Sequence, residues 1–433
     1  MKFLHHVSRI VLTSVVTLNG LFVFNLSAQT ETPKKDSVCV EKDLADVISK
    51  WRNKTPKIKP QDGGSLLLIP VIASSPATGF MFGLAGQYAF RMYQSNTLYS
   101  IFSINATVTT KGQSIFQLKN NVYSKNNKIF FSGDWRFMLY SQPTYGLGTN
   151  APEGGALKYQ YDLGGVETTQ DSLAQPMKFN FVRFHQSASM KIKPGFYLGL
   201  GYHFDYYYQI VDQKLDLTKP LYTSHYLYNN NYGFNNQEYF SSALNLKLLY
   251  DTRDNMITPY KGYFAQINLR TSPRFMGNTK DGEFMSVEWR SFHGVSKRNP
   301  SHLVAFWVLG NFTAPGTFPY LILPALGYDQ RSRSGRGYVQ GRFRGANMVS
   351  AEAEYRFPIS KCGGIISGVL FVNAITADNP NPQSPVKLFD YIAPAGGFGF
   401  RMKVDKRSRT NLILDFAFGN NSSGVYLGAA ETF

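Results

Sequence analysis

The sequence predicts an all-β fold, a transmembrane antiparallel β-barrel of about sixteen strands. Three observations lead to this prediction. Charged residues make up only 17% of the chain and aromatic residues reach 15%, which fits a protein with one face in lipid. From Ser65 onward apolar and polar residues alternate, as in a strand with two unlike faces. The connections between the predicted strands are short on one side and long on the other, as in outer-membrane barrels.

The composition also excludes several classes of protein. The mean hydropathy of −0.23 is too low for a bundle of membrane helices, and the aromatic content argues against disorder. Two cysteines cannot build a disulfide scaffold. A formal charge of +17 would indicate nucleic acid for a cytoplasmic protein. On an exported chain we instead expect the basic residues to face anionic lipid or a polar lumen, and we expect no nucleic-acid partner.

Residues 1–28 are interpreted as a secretory signal peptide. A positive start is followed by a mostly apolar stretch, 10–26, and by an acceptable cleavage site, Leu26-Ser27-Ala28. A single membrane anchor is the alternative. It is disfavoured because the stretch has polar interruptions and is shorter than the roughly 20 residues that a spanning helix needs. We therefore expect export to the outer membrane of a Gram-negative envelope.

Residues 29–64 are interpreted as a short periplasmic leader, and the barrel is predicted to occupy 65–433. One helix is expected in the leader, over 41–52, because four apolar residues form a single stripe at helical spacing. The stripe consists of Leu44, Val47, Ile48 and Trp51. Such a helix either docks on or inside the barrel, or serves as a plug or partner-binding element.

Sixteen strands are predicted from the alternation of apolar and polar residues. Their ranges are 65–72, 77–92, 98–109, 113–123, 127–140, 177–192, 195–211, 239–253, 261–272, 282–296, 301–314, 347–359, 363–377, 391–405, 410–420 and 423–433. In the eighth strand, for example, Leu244 and Leu246 alternate with Asn245 and Lys247, so one face is apolar and the other requires water. The first strand fits least well, because Pro70 is tolerated only at a sheet edge or a bulge and a closed barrel has no edge.

The connection lengths separate a membrane barrel from a soluble sandwich. If the chain starts on the periplasmic side, all connections on that side are short. The long connections then fall on the other side, at 141–176, 212–238, 315–346 and 378–390. Short periplasmic turns and long outer loops are typical of outer-membrane barrels, and a sandwich gives no reason for them.

The end of the sequence resembles the closing strand of an outer-membrane barrel. Apolar residues stand at alternate positions up to a final Phe, at Val425, Leu427, Ala429 and Phe433. Glu431 stands where an apolar residue is expected. An amphipathic closing strand without further meaning is the alternative.

The long loop before the twelfth predicted strand is the most informative stretch. It is rich in glycine and carries five arginines, Arg331, Arg333, Arg336, Arg342 and Arg344. Glu352 and Glu354 lie on one face of the strand that follows, and they point into the lumen if the other face meets lipid. We expect the loop to fold back and pair its guanidinium groups with these carboxylates. A solvated basic loop is the alternative.

These motifs resemble the BamA/TamA family of outer-membrane assembly barrels, also called the bacterial surface antigen family. The resemblance covers roughly residues 65–433. It rests on three stretches, the loop motif Gly335-Arg336-Gly337-Tyr338, the strand motif Glu354-Tyr355-Arg356-Phe357-Pro358, and the turn Tyr250-Asp251-Thr252-Arg253-Asp254-Asn255. It implies a sixteen-stranded barrel whose loop between strands 11 and 12 is inserted in the lumen, with Arg336 anchoring that loop to the wall.

The sequence departs from the family in two places. The family's strand-13 anchor, Phe-x-Asp-x-Gly, reads Phe371-Val372-Asn373-Ala374-Ile375 here. A neutral Asn373 accepts a weaker hydrogen bond from a guanidinium than a carboxylate does, so we expect Glu352 or Glu354 to take over as loop anchor. Assembly members also carry periplasmic POTRA domains that receive unfolded clients, and residues 29–64 are too few for even one.

The resemblance implies a non-enzymatic role in outer-membrane biogenesis, in protein insertion or transport. The expected contacts are outer-membrane lipid and a periplasmic partner protein or client barrel. A passive pore for small solutes is the alternative, and an outer-membrane hydrolase is a third hypothesis. No nucleophile elbow, P-loop or zinc spacing occurs, and we expect no cofactor and no metal.

Two pairs of residues carry further hypotheses. His203 and Asp205 share a strand face, which favours a hydrogen bond in the lumen over a metal or acid–base pair. Cys39 in the leader and Cys362 at a predicted periplasmic turn would both face an oxidising compartment. We hypothesise a disulfide that tethers the leader beneath the barrel, with two free buried thiols as the alternative.

Overall fold

The structure is a computed structural model. It describes residues 41–54, 64–75, 79–92, 97–151, 175–219, 222–360, 364–381, 385–429 and 431–433. The predicted signal peptide, residues 1–28, lies outside the described residues, as do Cys39 and Cys362.

Sixteen strands in the described part of the chain form one antiparallel sheet, in which each strand pairs with its neighbours in sequence. They are β1 Ser65–Ser75, β2 Gly79–Phe90, β3 Ser100–Thr109, β4 Ser114–Tyr123, β5 Ile129–Thr144, β6 Gln175–Lys193, β7 Phe196–Asp212, β8 Tyr239–Asp251, β9 Gly262–Ser272, β10 Gly282–Gly294, β11 Leu303–Thr313, β12 Asn347–Pro358, β13 Ile366–Ala377, β14 Ala393–Asp405, β15 Thr410–Gly419 and β16 Ser422–Ala429. The prediction of a sixteen-stranded antiparallel barrel is confirmed.

The two faces of the sheet differ as the alternation predicts. In β8 the side chains of Leu244, Leu246 and Leu248 are exposed, whereas Asn245 and Lys247 are buried. Exposed leucine, phenylalanine and valine side chains recur on the same face of the other strands. The outer surface is therefore apolar, as a lipid-facing band must be, and the inner surface is polar.

The connections segregate between the two ends of the barrel. One end of the barrel contains short turns, such as the turn at Gly195 and the turn at 406–409. We call it the short-turn end, and we call the opposite end the long-loop end. The long-loop end carries α2, Ser224–Tyr232, which Thr223 caps and which ends at Gly233 with a φ of 69°. This helix lies against the short 3-10 helix Tyr320–Ile322 within an aromatic cluster, so the outer mouth is covered by packed side chains.

Helix α1, Leu44–Trp51, lies at the short-turn end. Asp43 caps it, and Asp46 returns a hydrogen bond to the backbone of Asp43. Asp46 also pairs with Lys406 in the turn after β14, with 2.7 Å between Oδ2 and Nζ. The apolar stripe is left outside these contacts, since Trp51 is 81% exposed. No helix in the described residues is both long enough and apolar enough to cross a bilayer.

The loop between β11 and β12, residues 314–346, is inserted in the lumen as predicted. Most of its residues are buried, and Arg336 and Arg344 are among the largest fully buried side chains. A loop of this kind can be buried only if its polar groups find partners.

The end of the sequence does not follow the prediction. Strand β16 stops at Ala429, and Phe433 is fully buried among residues of the inner wall rather than exposed on the lipid face. Its ring packs against Trp307, with 5.4 Å between centroids, and Phe292. Glu431 explains the difference, because its buried carboxylate binds Arg401 in the lumen and draws the last residues inward.

No ladder joins β1 to β16 among the described residues, so the sheet has a seam. Pro70 lies in β1, which is thus an edge strand, and an edge is where proline is tolerated. On the lumen side Gln87 of β2 donates a hydrogen bond to the hydroxyl of Thr410 in β15, at 3.2 Å. The seam is therefore spanned by a side-chain contact rather than by backbone pairing.

Candidate functional site

The loop motif Gly335–Tyr338 packs closely against the barrel wall. Gly335 and Gly337 have φ values of 72° and 104°, which favour glycine. A Cβ atom on Gly337 would lie 2.9 Å from the Cβ of Ala395 in β14 and 3.1 Å from the backbone of Phe418 in β15. Glycine is thus required both for the backbone conformation and for the contact.

Arg336, only 1% exposed, lies between two sides of the barrel wall. Its Nη2 donates to Glu352 Oε1 at 2.6 Å and also to Glu354. Its Nη1 donates to Asp415 Oδ2 at 2.7 Å. The guanidinium stacks over the ring of Phe371, 3.6 Å from the centroid. One side chain thus connects the loop to β12 and β15 through charge-assisted bonds and to β13 through a cation–π contact.

Further buried charges extend this group. Arg356 donates to Glu354 Oε2 at 2.7 Å, and Arg401 pairs with both Asp415 and Glu431. All are at most 6% exposed. We call the group the anchor network; its members are Arg336, Arg356, Arg401, Glu352, Glu354, Asp415 and Glu431. Three guanidinium groups therefore face four carboxylates, a nearly balanced set.

Asn373 contacts Arg336 differently from the expectation. Its Nδ2 donates to the backbone carbonyl of Arg336 at 2.9 Å, rather than accepting from the guanidinium. The carboxylates of Glu352 and Glu354 are already within reach of that guanidinium, so the amide is left to hold the loop backbone. Asn373, Glu352 and Glu354 are thus all in contact with Arg336, through different atoms.

Tyr338 and its neighbours join the loop to the strands beside the seam. The hydroxyl of Tyr338 donates to the carbonyl of Pro394 at 2.7 Å and accepts from the amide of Asn420 at 3.1 Å. The amide of Gly337 donates to the hydroxyl of Tyr426 in β16 at 3.0 Å. The loop therefore holds β14, β15 and β16 from the inside.

Three members of the anchor network were not identified from the sequence. Asp415 is the single carboxylate in the apolar strand β15, and Glu431 interrupts an apolar alternation. Both irregularities are visible in the sequence and mark positions that need a cationic partner. Arg401 carries no comparable signal, since arginine is ordinary on a lumen face.

The pairing of His203 with Asp205 is absent from the structure. Asp205 instead binds His185 at 2.9 Å, together with Arg183 and Arg270. His203 stacks on His185 with 4.1 Å between ring centroids. The described residues contain no group of three or more side chains arranged to hold a metal ion.

Comparisons with known proteins bear on the whole barrel. Among solved structures, BamA from Haemophilus ducreyi lacking POTRA domains 1–3 is similar at 14% identity, over 85% of this chain and 69% of that one, with a TM-score of 0.49. CdiB from Escherichia coli is similar at 9% identity, over 85% of this chain and 62% of that one, with a TM-score of 0.47. No curated protein matches the sequence.

A family model matches just over half of the chain. Residues 185–404, which are 220 of the 433 residues, match the Omp85 superfamily domain. The matched segment runs from β6 to β14 and includes the lumen loop with its Arg336 motif. This chain belongs to the Omp85 superfamily.

Proposed function

We propose that this barrel inserts or transports proteins at the outer membrane, with a separate periplasmic partner and without enzymatic chemistry of its own. The observation that carries the proposal is the seam, where β1 and β16 form no ladder among the described residues. Unpaired backbone groups at membrane depth cost several kcal/mol each. A strand from a client protein would satisfy them by pairing with the open edge.

The dimensions of β16 support the same proposal. It has 8 residues, whereas a strand that crosses a bilayer needs about 9–11. Its outward side chains, including Val425 and Leu427, are apolar. A short apolar strand favours a locally thinner bilayer beside the seam, which lowers the barrier for a client to enter.

The contacts of the lumen loop favour a seam whose two strands, β1 and β16, are held differently. It contacts β14, β15 and β16 through Tyr338, Arg336 and Gly337. We infer that β16 is held in place from inside by these contacts, while β1 is the side that moves. The exposed stripe of α1 provides a surface for the periplasmic partner.

Photo-crosslinking from the seam tests the proposal. A photoreactive amino acid is placed at Leu427 of β16 or Leu68 of β1, and at Leu246 of β8 as the matched control, since all three side chains are exposed and apolar. We expect crosslinks to other barrel proteins during their assembly from the seam positions only. Equal crosslinking from β8 would contradict a specific role for the seam.

A passive pore is the second candidate, because a polar cavity of about 210 Å³ lies in the lumen. The inserted loop argues against free passage. In planar bilayers we expect low conductance for the unmodified barrel and a rise when Arg336→Ala releases the loop. A large constitutive conductance in the unmodified barrel would favour the pore.

A further inference from the structure

The lumen holds a second group of charges besides the anchor network. A cavity of about 210 Å³ lies between the inner wall of β5–β11 and the tip of the lumen loop. We call it the cationic cavity. Its charged lining residues are Arg183, Lys247, Arg253, Arg270, Arg290 and Arg331, with Asp134, Asp205, Glu288 and Asp329. Six cations face four carboxylates, an excess of two positive charges.

The carboxylates of the cationic cavity are already engaged. Asp205 accepts from Arg183 and Arg270, and Glu288 accepts from Arg290, Gln266 and Trp307. These groups therefore have little capacity left to neutralise a further cation.

Asp134 and Asp329 are also occupied. Asp134 binds Arg136 through both of its oxygens. Asp329 accepts from the backbone amides of Arg331, Arg333 and Ser334. Its oxygens thus fold the loop tip rather than balance a side-chain charge.

Arg253 pairs with Asp251, which lies outside the lining, at 2.7 Å. Lys247 and Arg331 are the two lining cations that remain. Neither has a carboxylate within 4.0 Å in the described part of the chain. Lys247 is 6% exposed, and among the described residues its ammonium donates only to the hydroxyl of Ser132, at 2.5 Å, although it carries three N–H donors. The guanidinium of Arg331 makes one hydrogen bond within the same part of the chain, of 3.3 Å, to the carbonyl of Glu431. Both side chains line the cationic cavity, Lys247 from β8 and Arg331 from the lumen loop.

A buried cation without a counter-charge is costly, and an anion in the adjacent cavity removes that cost. We propose that the cationic cavity binds a small divalent oxyanion of the phosphate or sulfate type, held by Lys247 from the wall and Arg331 from the loop. The volume suits a ligand of a few heavy atoms, because the pockets that hold drug-sized ligands have volumes of roughly 300–1,000 Å³. The excess of two positive charges matches a dianion. Because Arg331 belongs to the lumen loop, the anion would also tie the loop tip to β8.

Calorimetric titration of the detergent-solubilised full chain at constant ionic strength tests the proposal. The probes are sodium sulfate, inorganic phosphate and sodium nitrate. We expect saturable binding of sulfate and phosphate, and binding of the monovalent nitrate at least about tenfold weaker, because charge-assisted bonds dominate. No saturable binding of sulfate up to about 10 mM, or equal binding of nitrate, would overturn the site.

Three variants locate the site. Lys247→Met and Arg331→Met should each weaken sulfate binding by at least about tenfold, while Lys247→Arg keeps the charge and should retain binding. Lys178→Met is the matched control, because Lys178 is an exposed lysine of β6 outside the cavity lining and should change nothing. Heat-modifiable migration in SDS verifies that each variant is folded. Unchanged binding in Lys247→Met, or equal weakening in Lys178→Met, would refute the assignment.

Discussion

The anchor network and the cationic cavity are built from the same side chains on the same kind of inward strand face, yet they differ in balance. Around Arg336, three guanidinium groups meet four carboxylates at direct hydrogen-bond distances. In the cavity, six cations meet four carboxylates, and Lys247 and Arg331 remain without an anionic partner. The comparison indicates that the pairing of each charge with an opposite charge, rather than the type of residue, distinguishes a structural clamp from a binding site.

The largest expected effect comes from removing the centre of the anchor network. Arg336→Ala leaves three buried carboxylates without their shared partner, and breaking a buried ion pair costs about 3–5 kcal/mol. We expect the free energy of unfolding in detergent, measured by guanidinium titration, to fall by about that amount. Arg331→Met is the control, since it removes an arginine of the same loop that has no carboxylate partner. An equal loss in both variants would remove the distinction between the two regions.

Substitutions within the anchor network sharpen the comparison. Asp415 joins Arg336 and Arg401, whereas Glu352 pairs with Arg336 alone, and the network has one carboxylate in excess. Asp415→Asn should therefore cost about 2–4 kcal/mol and Glu352→Gln about 1–2 kcal/mol. The same unfolding titration measures both, and the reverse order would contradict the assigned centre of the network.

Lys247→Met, in the cationic cavity, should not lower the free energy of unfolding as the substitutions in the anchor network do. No carboxylate is orphaned by the change, and a desolvated cation is replaced by an apolar side chain of similar length. In buffer free of sulfate and phosphate, the free energy of unfolding should stay within about 1 kcal/mol of the unmodified chain or rise. A loss as large as that of Arg336→Ala would mean that Lys247 is part of a clamp.

The smallest effect is expected at the ion pair between Asp46 of α1 and Lys406 of the β14–β15 turn. This pair lies near the surface and serves as a reference for the buried ion pairs. Burial opposes ionisation of Asp46, but its hydrogen bonds to Lys406 and to the backbone of Asp43, together with the nearby lysine charges, outweigh burial and lower the pKa of Asp46. The hydrogen bond between Asp46 and Lys406 also raises the pKa of Lys406. The pair is therefore intact at neutral pH, is lost on the acid side as the pH falls through the lowered pKa of Asp46, and is lost on the alkaline side only above the ordinary range of lysine.

Hydrogen exchange measures that reference pair. Asp46→Asn should speed exchange in α1 at pH 7 by a small factor, since exposed ion pairs contribute about 0–1 kcal/mol. At a pH below the lowered pKa of Asp46, the variant and the unmodified chain should exchange alike. A difference that persists in acid would show that α1 is held by other contacts.

Much of the architecture could be predicted from local patterns. The alternation around Leu244 and Lys247 assigned the two faces of β8 correctly, because the period of a strand is 2 whatever its neighbours are. The segregation of connection lengths indicated a sixteen-stranded barrel, and the Arg336 motif placed the loop in the lumen. These features depend on residues that are close together in the chain.

The partners across the lumen could not be predicted in the same way. Asp415 and Arg336 are 79 residues apart in sequence, and their contact depends on how the loop crosses the barrel. His203 and Asp205 were expected to share a strand face in the lumen, but the histidine that Asp205 binds is His185 on the adjacent strand. The last residues were expected to continue an outward strand and turn inward, because Glu431 finds Arg401.

The sequence by itself determined the barrel, the lipid-facing band and the loop that enters the lumen, since each follows from a periodicity or from a compact motif. Only the tertiary structure decided which charges meet inside. Ion pairing in a lumen depends on the path of the loop and on distances between strands that are separated in sequence, and no local pattern encodes them. For that reason the clamp at Arg336 and the uncompensated Lys247 look alike in the sequence and differ in the folded protein.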